Sequence, residues 1–433
     1  MPATASAPNR FDAPVLGIAI ANRRTACHDA VMTVPNLRHL QAFHEVMGTG
    51  SISAASLRMH LTQSAVTQAI AAIERYFNTP LFTRSPYGMR PTPAGTVCAE
   101  RIQRALTQLR DGIQELAGSE ANAARREQLF RRISGPQLSS LIQLVEFRNF
   151  THAARASGVS QPTMHRAART LERLLDAKLF EKTSYGVVPT REAEKLSRRA
   201  HLAFVEIAQA RADIDALDGR ESGRTVIGSM PLARSFLVPN ALIRFTREQP
   251  EHAVSIMEGT YEHLLGALQS GQADFFIGAL RDIRVSGGIV QEHLFDDPLS
   301  IVVGAKHPLA KKRKLTATDL TSHPWIAPRA TSPLKANFEA LFKGMGIEPP
   351  QRFIECNSLG AARAFLMGGD HMMLSSTNQV HYELQAGMLV CLPHPGGKVL
   401  RQIGLTVREN WRPTRAQARL LAIVRETANQ LGR

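Results

Sequence analysis

Four polar side chains within the first hundred residues have the chemistry that contact with DNA bases requires. They carry amides or hydroxyls, and a helix would place them on one face: Gln63, Ser64, Thr67 and Gln68. Such groups donate and accept hydrogen bonds, as the base edges in a DNA major groove do. Arg84 and Arg90 follow in a segment with Tyr87-Gly88 and two prolines, which predicts a hairpin over 82–92. Their guanidinium groups are candidates for phosphate contacts.

The same pattern occurs a second time, 98 residues later. When the sequence is shifted by 98 residues, identical residues coincide in the two copies without a gap. In the first copy, these identical residues are Ala55, Gln63, Ala69, Glu74, Arg75, Leu81, Phe82, Tyr87, Gly88, Pro91 and Thr92. Such a clustered set indicates an internal duplication. In the second copy, the corresponding candidates for contacts with bases are Gln161, Pro162, His165 and Arg166. The candidate for a phosphate contact in the second hairpin is Lys182.

Three helices are predicted to position each polar cluster. In the first copy, apolar residues recur at three-residue spacing from Leu37 to Val46, which indicates one face of a helix. Ser51 or Ser53 can cap a second helix, and Thr62 can cap a third. The inward-facing side chains of the third helix would be Val66, Ile70 and Ile73. A purely structural three-helix bundle has the same periodicity, so the pattern by itself leaves both interpretations open.

Longer motifs in the first copy resemble those of LysR-type transcriptional regulators. They are L-x-x-F-x-x-V, G-S-I-S-x-A, L-T-Q-S-A-V-T-Q-x-I-x-x-I-E, L-F-x-R and P-T-P-A-G. The second copy is similar, although Arg148-Asn149 replaces Gly50-Ser51 and Arg191-Glu192-Ala193 replaces Pro93-Ala94-Gly95. The resemblance implies a DNA-binding winged helix-turn-helix in each copy. Members of this family normally carry one such domain, so a tandem pair is unusual.

Each hairpin is followed by a predicted helix with a regular apolar seam. The seam residues are Ile102, Leu106, Leu109, Ile113 and Leu116 in the first helix, and Leu196, Ala200, Ala203, Ile207, Ala210, Ile214 and Leu217 in the second. Spacings of three and four residues are typical of helices that pair. In LysR-type relatives the equivalent helix joins two chains. We hypothesise that here the two helices pair within one chain; the alternative is that each pairs with its copy in a second subunit.

From residue 224 onward, short apolar strands alternate with amphipathic helices. Such alternation predicts parallel sheets with crossover helices, the first of which would open at Ser229. The motifs L-V-P-N-A-L-I-R-F, S-G-Q-A-D-F-F-I-G and K-H-P-L-A resemble the periplasmic-binding-protein-like effector domain of the same family. The motifs I-G-S-M-P-L-A-R-S-F and E-G-T-Y-E-H-L-L are most similar to its galactose-binding-protein regulator group.

Ligands of such sheets bind beyond the carboxyl ends of the strands, in the crevice between the lobes. Helix N-termini there offer free N–H groups and partial positive charge. The candidate ligand-binding residues in three such segments are Ser229, Pro231, Leu232, Arg234, Thr331, Ser332 and Ser358. Their hydroxyls and backbone amides suit a sugar, or a small organic acid if Arg234 or Arg329 contributes. Ordinary helix capping by serine and threonine is the alternative for each segment taken alone.

These patterns predict a multi-domain protein with two α-rich winged helix-turn-helix domains and an α/β two-lobed, periplasmic-binding-protein-like effector domain. The predicted segments are a loose leader over 1–35, winged domains over 36–92 and 134–190, linker helices over 93–118 and 191–218, a solvated connector over 119–133 and the effector-binding domain over 224–433. Lobe I would contain about 224–302 and 400–433, and lobe II about 303–399.

Composition and motifs argue against several other classes of protein. The formal net charge of +15 suits a nucleic-acid partner, but the basic residues are spread over the whole chain. The four cysteines lack metal-binding spacing and are expected to be reduced thiols of a cytoplasmic protein, with a redox switch at Cys356 or Cys391 as the alternative. Gly48-Thr49-Gly50-Ser51 lacks the lysine of a phosphate-binding loop. We therefore expect no enzymatic activity, no metal or other cofactor and no membrane segment.

The combined prediction is a sequence-specific, DNA-binding transcription regulator of LysR type, controlled by a small-molecule effector bound between the lobes. Its expected partners are double-stranded DNA, the effector and further copies of itself, with RNA polymerase as an additional candidate. The alternative is a small-molecule sensor that acts through a protein partner, with one or both winged domains used for assembly.

Overall fold

The N-terminal half of the chain contains two similar units and two long helices. The computed structural model describes residues 34–86, 88–117, 123–184, 186–233, 235–281, 288–330, 332, 334–356 and 358–431, so the predicted leader over 1–35 lies almost entirely outside the described residues. The elements of this half are α1 (Leu37–Thr49), α2 (Ile52–Met59), α3 (Gln63–Phe77), β1 (Phe82–Ser85), β2 (Gly88–Pro91), α4 (Pro93–Ala117), α5 (Ala123–Arg132), α6 (Gly135–Phe147), α7 (Phe150–Ala156), α8 (Gln161–Leu175), β3 (Phe180–Thr183), β4 (Gly186–Pro189) and α9 (Arg191–Leu217). Apart from α5, each element has a counterpart that begins 98 residues away. Residues 37–91 are named unit 1, and residues 135–189 are named unit 2.

Side-chain caps determine where the helices of both units begin. Ser51 caps α2 and Thr62 caps α3, as predicted, by accepting hydrogen bonds of 3.3 and 3.2 Å from backbone N–H groups three residues on. In unit 2, Asn149 and Ser160 cap the corresponding helices. Because all four side chains satisfy backbone donors that the helix leaves free, the helices begin at equivalent residues in spite of the substitutions.

The replacement of Gly50 by Arg148 leaves the hairpin attached to its unit. Both residues end a helix in the left-handed conformation, with φ angles of 64° and 50°. Gly50 O accepts a hydrogen bond from Met89 N (2.8 Å), and Arg148 O accepts one from Val187 N (3.0 Å). This departure of the second copy therefore changes a side chain but keeps the backbone contact between the first helix and the hairpin.

The two long helices, α4 and α9, pack along each other within the chain, which is the arrangement that we hypothesised. Their contact surface is the predicted apolar seam, in which Leu106 and Ala203 are fully buried. The seam ends at Leu217, which is exposed. One cluster of buried side chains runs from α1 through both long helices, so the helix pair and the two units share a single core.

An arginine near the start of α4 crosses to polar groups near the end of α9. Arg101 Nε donates to Asp213 (2.7 Å), and Arg101 Nη1 donates to Glu206 (2.9 Å) and Gln209 (2.8 Å). The same nitrogen donates to Arg412 O (3.0 Å) in the C-terminal half of the chain. With an exposed side-chain fraction of 1%, Arg101 therefore joins three parts of the molecule in a buried network.

The residue 98 positions later, Arg199, makes matching contacts at the other end of the helix pair. Its partners are Gln108 (2.9 Å), Asp111 (3.7 Å) and Glu115 (3.0 Å), each 98 residues before a partner of Arg101. The antiparallel pair therefore has a pseudo-twofold axis. The two ends differ in burial, because the side chain of Arg199 is 30% exposed.

The predicted solvated connector over 119–133 is wrong in its described part, 123–133. Residues from this segment form α5, and Leu129, Phe130 and Ile133 are buried in the shared core. The Arg110 guanidinium lies over the Phe130 ring, 4.5 Å from its centroid. Several arginines on the opposite side of α5 give the segment a polar composition that conceals a narrow apolar face.

The C-terminal half forms two lobes. Its elements are β5 (Arg224–Ser229), α10 (Leu237–Glu248), β6 (Ala253–Glu258), α11 (Tyr261–Ser270), β7 (Phe275–Ala279), β8 (Ile289–Gly304), α12 (Ala317–Ser322), β9 (Trp325–Ala327), α13 (Leu334–Gly344), β10 (Phe353–Glu355), α14 (Leu359–Gly368), β11 (Met372–Ser376), a 3-10 helix (Thr377–Val380), α15 (His381–Gln385), β12 (Leu389–Leu392), β13 (Leu400–Arg408) and α16 (Arg415–Leu431). The strand order is β6-β5-β7-β13-β8 in lobe I and β8-β11-β9-β10 in lobe II, where β12 also pairs with β8. The predicted parallel pairing holds for β5 with β6 and β7, and for β9 with β10 and β11. Because β8 and β13 run antiparallel to their neighbours, both sheets are mixed.

The long strand β8 joins the lobes. Its first part pairs with β13 in lobe I and its last part pairs with β11 and β12 in lobe II, so the boundary lies near 298 rather than at the predicted 302. At the crossing, the carboxylate of Asp297 is 1% exposed and accepts hydrogen bonds from Asn378 (2.9 Å), Arg401 (2.8 Å) and Ser376. These donors come from both sides of the crossing and hold it in place.

The helix predicted to open at Ser229 begins at Leu237 instead. Met230 N donates to Ile277 O (3.0 Å), which continues the pairing of β5 with β7 beyond the predicted helix start. Pro231 follows in a turn, where its missing N–H is tolerated.

Substitution of Arg101 or of Arg199 tests how burial determines the contribution of each arginine to the free energy of unfolding. Arg101→Ala would leave the Asp213 carboxylate without its counter-ion and Glu206 with Arg104 alone, so the free energy of unfolding should fall by about 3–5 kcal/mol. Arg199→Ala removes the matching but more exposed contacts and should cost at most about 1 kcal/mol. Urea unfolding of the full-length variants measures both values. Equal losses of stability in the two variants would contradict the expectation that burial determines how much each arginine contributes.

Candidate nucleic-acid interface and effector cleft

The third helix of unit 1, α3, has one polar face that the rest of the unit leaves uncovered. Its inward side chains Val66, Ile70 and Ile73 are buried in the core, as predicted. The four predicted base-contacting residues lie on the outside, where the threonine is half-buried and the others are exposed: Gln63, Ser64, Thr67 and Gln68. The structure therefore brings these four side chains together on one face.

Two of these side chains are oriented by hydrogen bonds within unit 1. Thr67 Oγ1 donates to Gln63 O (2.9 Å), and Gln63 Nε2 donates to Ser53 Oγ (3.2 Å). The Thr67 hydroxyl oxygen and the Gln63 amide oxygen keep lone pairs that can accept hydrogen bonds from a base. The helix thus presents oriented acceptors rather than freely rotating side chains.

The corresponding helix of unit 2, α8, has different chemistry on the same face. Three of its predicted contact residues are exposed: Gln161, Pro162 and Arg166. His165 is half-buried, and its ring stacks on Phe150 with 3.6 Å between the centroids. Burial, with a smaller contribution from the charges of Lys182 and Arg169, lowers the pKa of His165. At pH 7 its imidazole is therefore neutral and has one donor and one acceptor.

In each unit, the hairpin is tied to the third helix (α3 or α8) by a glutamate that was not among the predicted functional residues. Glu74 Oε1 accepts hydrogen bonds from the backbone N–H groups of Leu81 (2.8 Å) and Phe82 (3.2 Å). Glu172 makes the same two contacts in unit 2, with lengths of 2.9 and 3.1 Å. Hydrogen bonds to an ionised carboxylate are stronger than neutral ones. A glutamate occupies the equivalent position in both copies of the sequence, and this identity was a signal that Glu74 and Glu172 share a structural role.

The predicted phosphate-contacting residues project from these hairpins. Arg84 and Arg90 are exposed on β1 and β2, and Lys182 is exposed on β3. Thr83 lies opposite Arg90 in the ladder, and Arg84 lies opposite Met89. Because Glu74 fixes the hairpin relative to α3, the arginines are held at a defined distance from the polar face of α3.

A cavity of about 130 Å³ lies where the two lobes meet. Lobe I contributes Pro231, and the lining residues from lobe II include Arg329, Ser332, Cys356, Ser358 and Gln379. A cavity of roughly 150 Å³ can hold a benzene molecule. The cleft therefore has room for a small ligand.

Two predicted ligand-binding serines, Ser332 and Ser358, cap helices at this cavity. Their Oγ atoms accept hydrogen bonds of 3.3 Å from Leu334 N and Ala361 N. The capping interpretation therefore holds for both residues, and it is compatible with ligand binding, because a capping hydroxyl keeps its own proton. The Arg329 guanidinium lies 3.9 Å from Glu355 and is more than half exposed, so the cleft offers O–H donors together with a positive charge.

Two other predicted ligand-binding residues, Ser229 and Leu232, are not brought to the cavity. Ser229 is fully buried, with its hydroxyl 3.4 Å from Met230 O. Leu232 is 8% exposed and packs in the core of lobe I. Two further predictions lie outside the described residues: Arg234 and Thr331. Gln379, which lines the cavity, had no sequence signal, because it belongs to a short 3-10 helix that was not predicted.

The lobes also contact each other through α10 and α15. Asn240 Nδ2 donates to the Tyr382 hydroxyl (3.2 Å), and the rings of Phe236 and His381 lie 4.3 Å apart, centroid to centroid. A ligand that changes the spacing of the lobes must change these contacts as well.

The described cysteines differ in reactivity and position. Burial raises the pKa of Cys391 to about 11, so little thiolate is present at neutral pH, which argues against a redox switch there. Cys356 lines the cavity, and its Sγ lies 3.4 Å from Ser358 O.

In the described ranges, no group of three or more His, Cys, Asp or Glu side chains is placed to hold a metal ion. No helix in the same ranges has the length and apolar character needed to cross a bilayer.

Comparison with known proteins identifies the family. The sequence profile of the "Bacterial regulatory helix-turn-helix protein, lysR family" matches residues 37–96 and 136–194, and that of the "LysR substrate binding domain" matches 218–429. The HTH-type transcriptional regulator GalR of Pseudomonas putida is 32% identical over 397 residues, which cover 92% of this chain and 98% of that protein. The chain belongs to the LysR family of transcriptional regulators. This confirms the membership predicted from the sequence motifs.

Two further matches agree with this assignment. The HTH-type transcriptional regulator PcaQ of Agrobacterium fabrum is 27% identical over 70% of this chain and 97% of that protein. A full-length OxyR variant from Pseudomonas aeruginosa shares the fold, with a TM-score of 0.51 and 19% identity over 68% of this chain and 94% of that chain. This LysR-family regulator thus combines an N-terminal helix-turn-helix with a periplasmic-binding-protein-like regulatory domain, and it binds DNA under the control of an effector.

Replacement of the hairpin-fixing glutamates tests their structural role. Glu74→Ala leaves two backbone N–H groups without their acceptor, so the free energy of unfolding should fall by about 1–3 kcal/mol. Glu172→Ala should have a similar effect in unit 2. Glu74→Gln keeps an acceptor oxygen but loses the charge, and should therefore cost less than Glu74→Ala. Urea unfolding at neutral pH provides the comparison; unchanged stability in both alanine variants would show that water replaces the carboxylates.

Proposed function

We propose that this LysR-family regulator uses both of its units to bind two neighbouring half-sites on one DNA duplex. The observation that carries the proposal is the antiparallel pairing of α4 and α9 within the chain, which relates unit 1 to unit 2 by a pseudo-twofold axis. Recognition helices related in this way contact half-sites about one helical turn apart. One chain then has the DNA-binding geometry for which a relative with one unit needs two chains.

The proposed domains are winged helix-turn-helix domains over 36–92 and 134–190, linker helices over 93–118 and 191–218, and an effector-binding domain over 224–433. The helix-turn-helix profile matches the chain in both units, which supports the duplication. The match to PcaQ covers 70% of this chain, whereas the match to GalR covers 92%. A second unit that has a counterpart in GalR but not in PcaQ accounts for this difference.

In the proposed complex, the N-terminal halves of α3 and α8 enter adjacent major grooves. The residues proposed to contact base edges are Gln63, Ser64, Thr67 and Gln68 in unit 1 and Gln161, Pro162, His165 and Arg166 in unit 2. The residues proposed to contact phosphates are Arg84, Arg90 and Lys182. All of these residues except the half-buried Thr67 and His165 are exposed, and all except Pro162 carry hydrogen-bonding groups on their side chains, which supports these roles.

The proposed effector is a sugar or small organic acid that binds in the cavity between the lobes. Pro231, Ser332 and Ser358 line this cavity, and Arg234 and Thr331 remain predicted contacts. Serine O–H groups suit hydroxyl or carboxylate oxygens, and the Arg329 guanidinium favours an anion.

Other parts of the proposal concern partners and location. The relatives that the chain matches are transcriptional regulators, and we propose no catalytic role for this protein. Further copies of the chain and RNA polymerase are proposed partners. The cytoplasm, where a bacterial chromosome lies, is the proposed compartment.

Two substitutions in unit 1 separate base contacts from phosphate contacts. Gln68→Ala should relax the preference for the operator over random DNA, whereas Arg84→Ala should weaken binding to all sequences alike. Loss of one phosphate contact should also reduce the slope of log affinity against log salt by about 1. Anisotropy titrations on operator and random duplexes at two salt concentrations measure these effects.

The control for Arg84→Ala is Lys343→Ala, which removes one positive charge from an exposed site on lobe II. It should leave affinity and salt slope nearly unchanged. If Gln68→Ala and Arg84→Ala both behave like this control, the proposed roles are wrong.

A bulky residue in the cleft tests the location of the effector. Ser332→Trp should fill the cavity and abolish the response of the regulated promoter to the effector, while DNA affinity stays within about twofold because the units are untouched. Ser322→Trp, at an exposed position on α12, is the matched control and should respond normally. A promoter–reporter assay on a panel of carbon sources, together with anisotropy titration, gives both results. A normal response of Ser332→Trp would place the effector elsewhere.

A further inference from the structure

We infer that the operator of this regulator is asymmetric, with two unlike half-sites in a fixed order. This inference rests on the proposed function, in which both units bind one duplex. It follows from a contrast within the molecule. The backbone of the helix pair and the two units is nearly symmetric, whereas the side chains on the DNA-facing sides of α3 and α8 differ.

The backbone holds the units as the subunits of a symmetric dimer would be held. At one end of the α4–α9 pair Arg101 contacts Asp213, and at the other end Arg199 contacts Glu115. The two contacts are equivalent, because Arg199 lies 98 positions after Arg101 and Asp213 lies 98 positions after Glu115. In a dimer of identical chains, such symmetry makes the half-sites identical, so the operator is a palindrome. In this chain the same geometry presents two different surfaces.

The side chains differ at three of the four equivalent positions on these surfaces. The unit 1 residues Ser64, Thr67 and Gln68 correspond to Pro162, His165 and Arg166 of unit 2. Glutamine matches the donor and acceptor pattern of adenine, whereas arginine matches the two acceptors of guanine. Both Gln68 and Arg166 are exposed. Unit 1 therefore prefers an A·T pair where unit 2 prefers a G·C pair.

Two further differences strengthen the contrast between the half-sites. His165 is held by its stack on Phe150, whereas the equivalent Thr67 has a small side chain bonded to its own helix. One turn further along α8, Arg169 is exposed where α3 has Ala71, which adds a positive charge on the unit 2 side. The units thus differ in shape and in charge as well as in hydrogen bonding.

The chain also fixes the order of the half-sites relative to the effector domain. The Arg101 end of the helix pair is covered, because Arg101 donates to Arg412 O (3.0 Å) and Arg104 donates to Asn410 O (2.6 Å). The equivalent Arg199 end is partly exposed. A bound chain therefore has a direction on the DNA, and reversal of the operator turns the effector domain towards the opposite flank.

Selection of duplexes from a random library by the full-length protein tests the inference. The wild type should enrich a sequence with unlike halves, with A·T in one half where the other has G·C. The triple variant Pro162→Ser/His165→Thr/Arg166→Gln gives unit 2 the side chains of unit 1 and should enrich a palindrome of the unit 1 half-site. The reciprocal variant Ser64→Pro/Thr67→His/Gln68→Arg should enrich a palindrome of the unit 2 half-site.

Direct titrations should agree with the selection. Exchange of one half-site for the other should cost the wild type about tenfold in affinity, and the matching triple variant should recover that loss. A palindrome enriched by the wild type, or unlike halves enriched by both triple variants, would overturn the inference. The reciprocal variant keeps the test valid if loss of the stack on Phe150 prevents the first variant from folding.

Failure of the proposed function would give a different result. If unit 2 does not bind DNA, the wild type enriches only the unit 1 half-site, alone or repeated where several chains bind, and this sequence changes with the unit 1 substitutions but not with those in unit 2. If neither unit binds, no duplex is enriched at low salt. Either outcome removes the basis of the inference, whereas a wild-type palindrome that changes with the substitutions in both units rejects only the asymmetry.

Discussion

The packing of α4 against α9, with Arg101 enclosed at one end, is the interaction on which the rest of the structure depends. It sets the relative positions of unit 1 and unit 2 and provides the surface on which the effector domain sits. A buried guanidinium is stable only while its acceptors are in place, and those of Arg101 belong to α9 and to the backbone at Arg412. A shift of the effector domain at this point must therefore disturb the helix pair that holds the units.

The two units share the contacts that define their shape and differ in those that face outward. Glu74 and Glu172 fix the hairpins in the same way, and the carbonyls of Gly50 and Arg148 accept equivalent hydrogen bonds although the side chains differ. Contacts made by backbone atoms tolerate sequence change, because any residue that can adopt the required φ angle supplies the same carbonyl. This tolerance leaves the outward surfaces that we propose to face DNA free to diverge while the fold stays constant.

Sequence patterns predicted the features that depend on neighbouring residues. The caps of α2 and α3 and the apolar seam follow from local spacing, and the structure agrees with them. Features that join distant segments were not predictable in this way. The carboxylate of Asp297 meets Asn378 and Arg401 only because β8 crosses between lobes. Ser229 and Leu232 were predicted at the cleft because the helix was expected to open there, whereas it begins at Leu237.

The single effector domain on the shared helix pair has a consequence for the form of the response. The described residues contain one interlobe cleft for the two units, whereas two single-unit chains that form a pair have one cleft each. Such a pair passes through a state in which only one cleft is occupied, and this state permits cooperative binding of the effector. Within this chain no such intermediate exists. In the proposed complex of one chain with one operator, the cleft is either empty or occupied, so the dose–response curve of that complex would be hyperbolic, with a Hill coefficient of about 1.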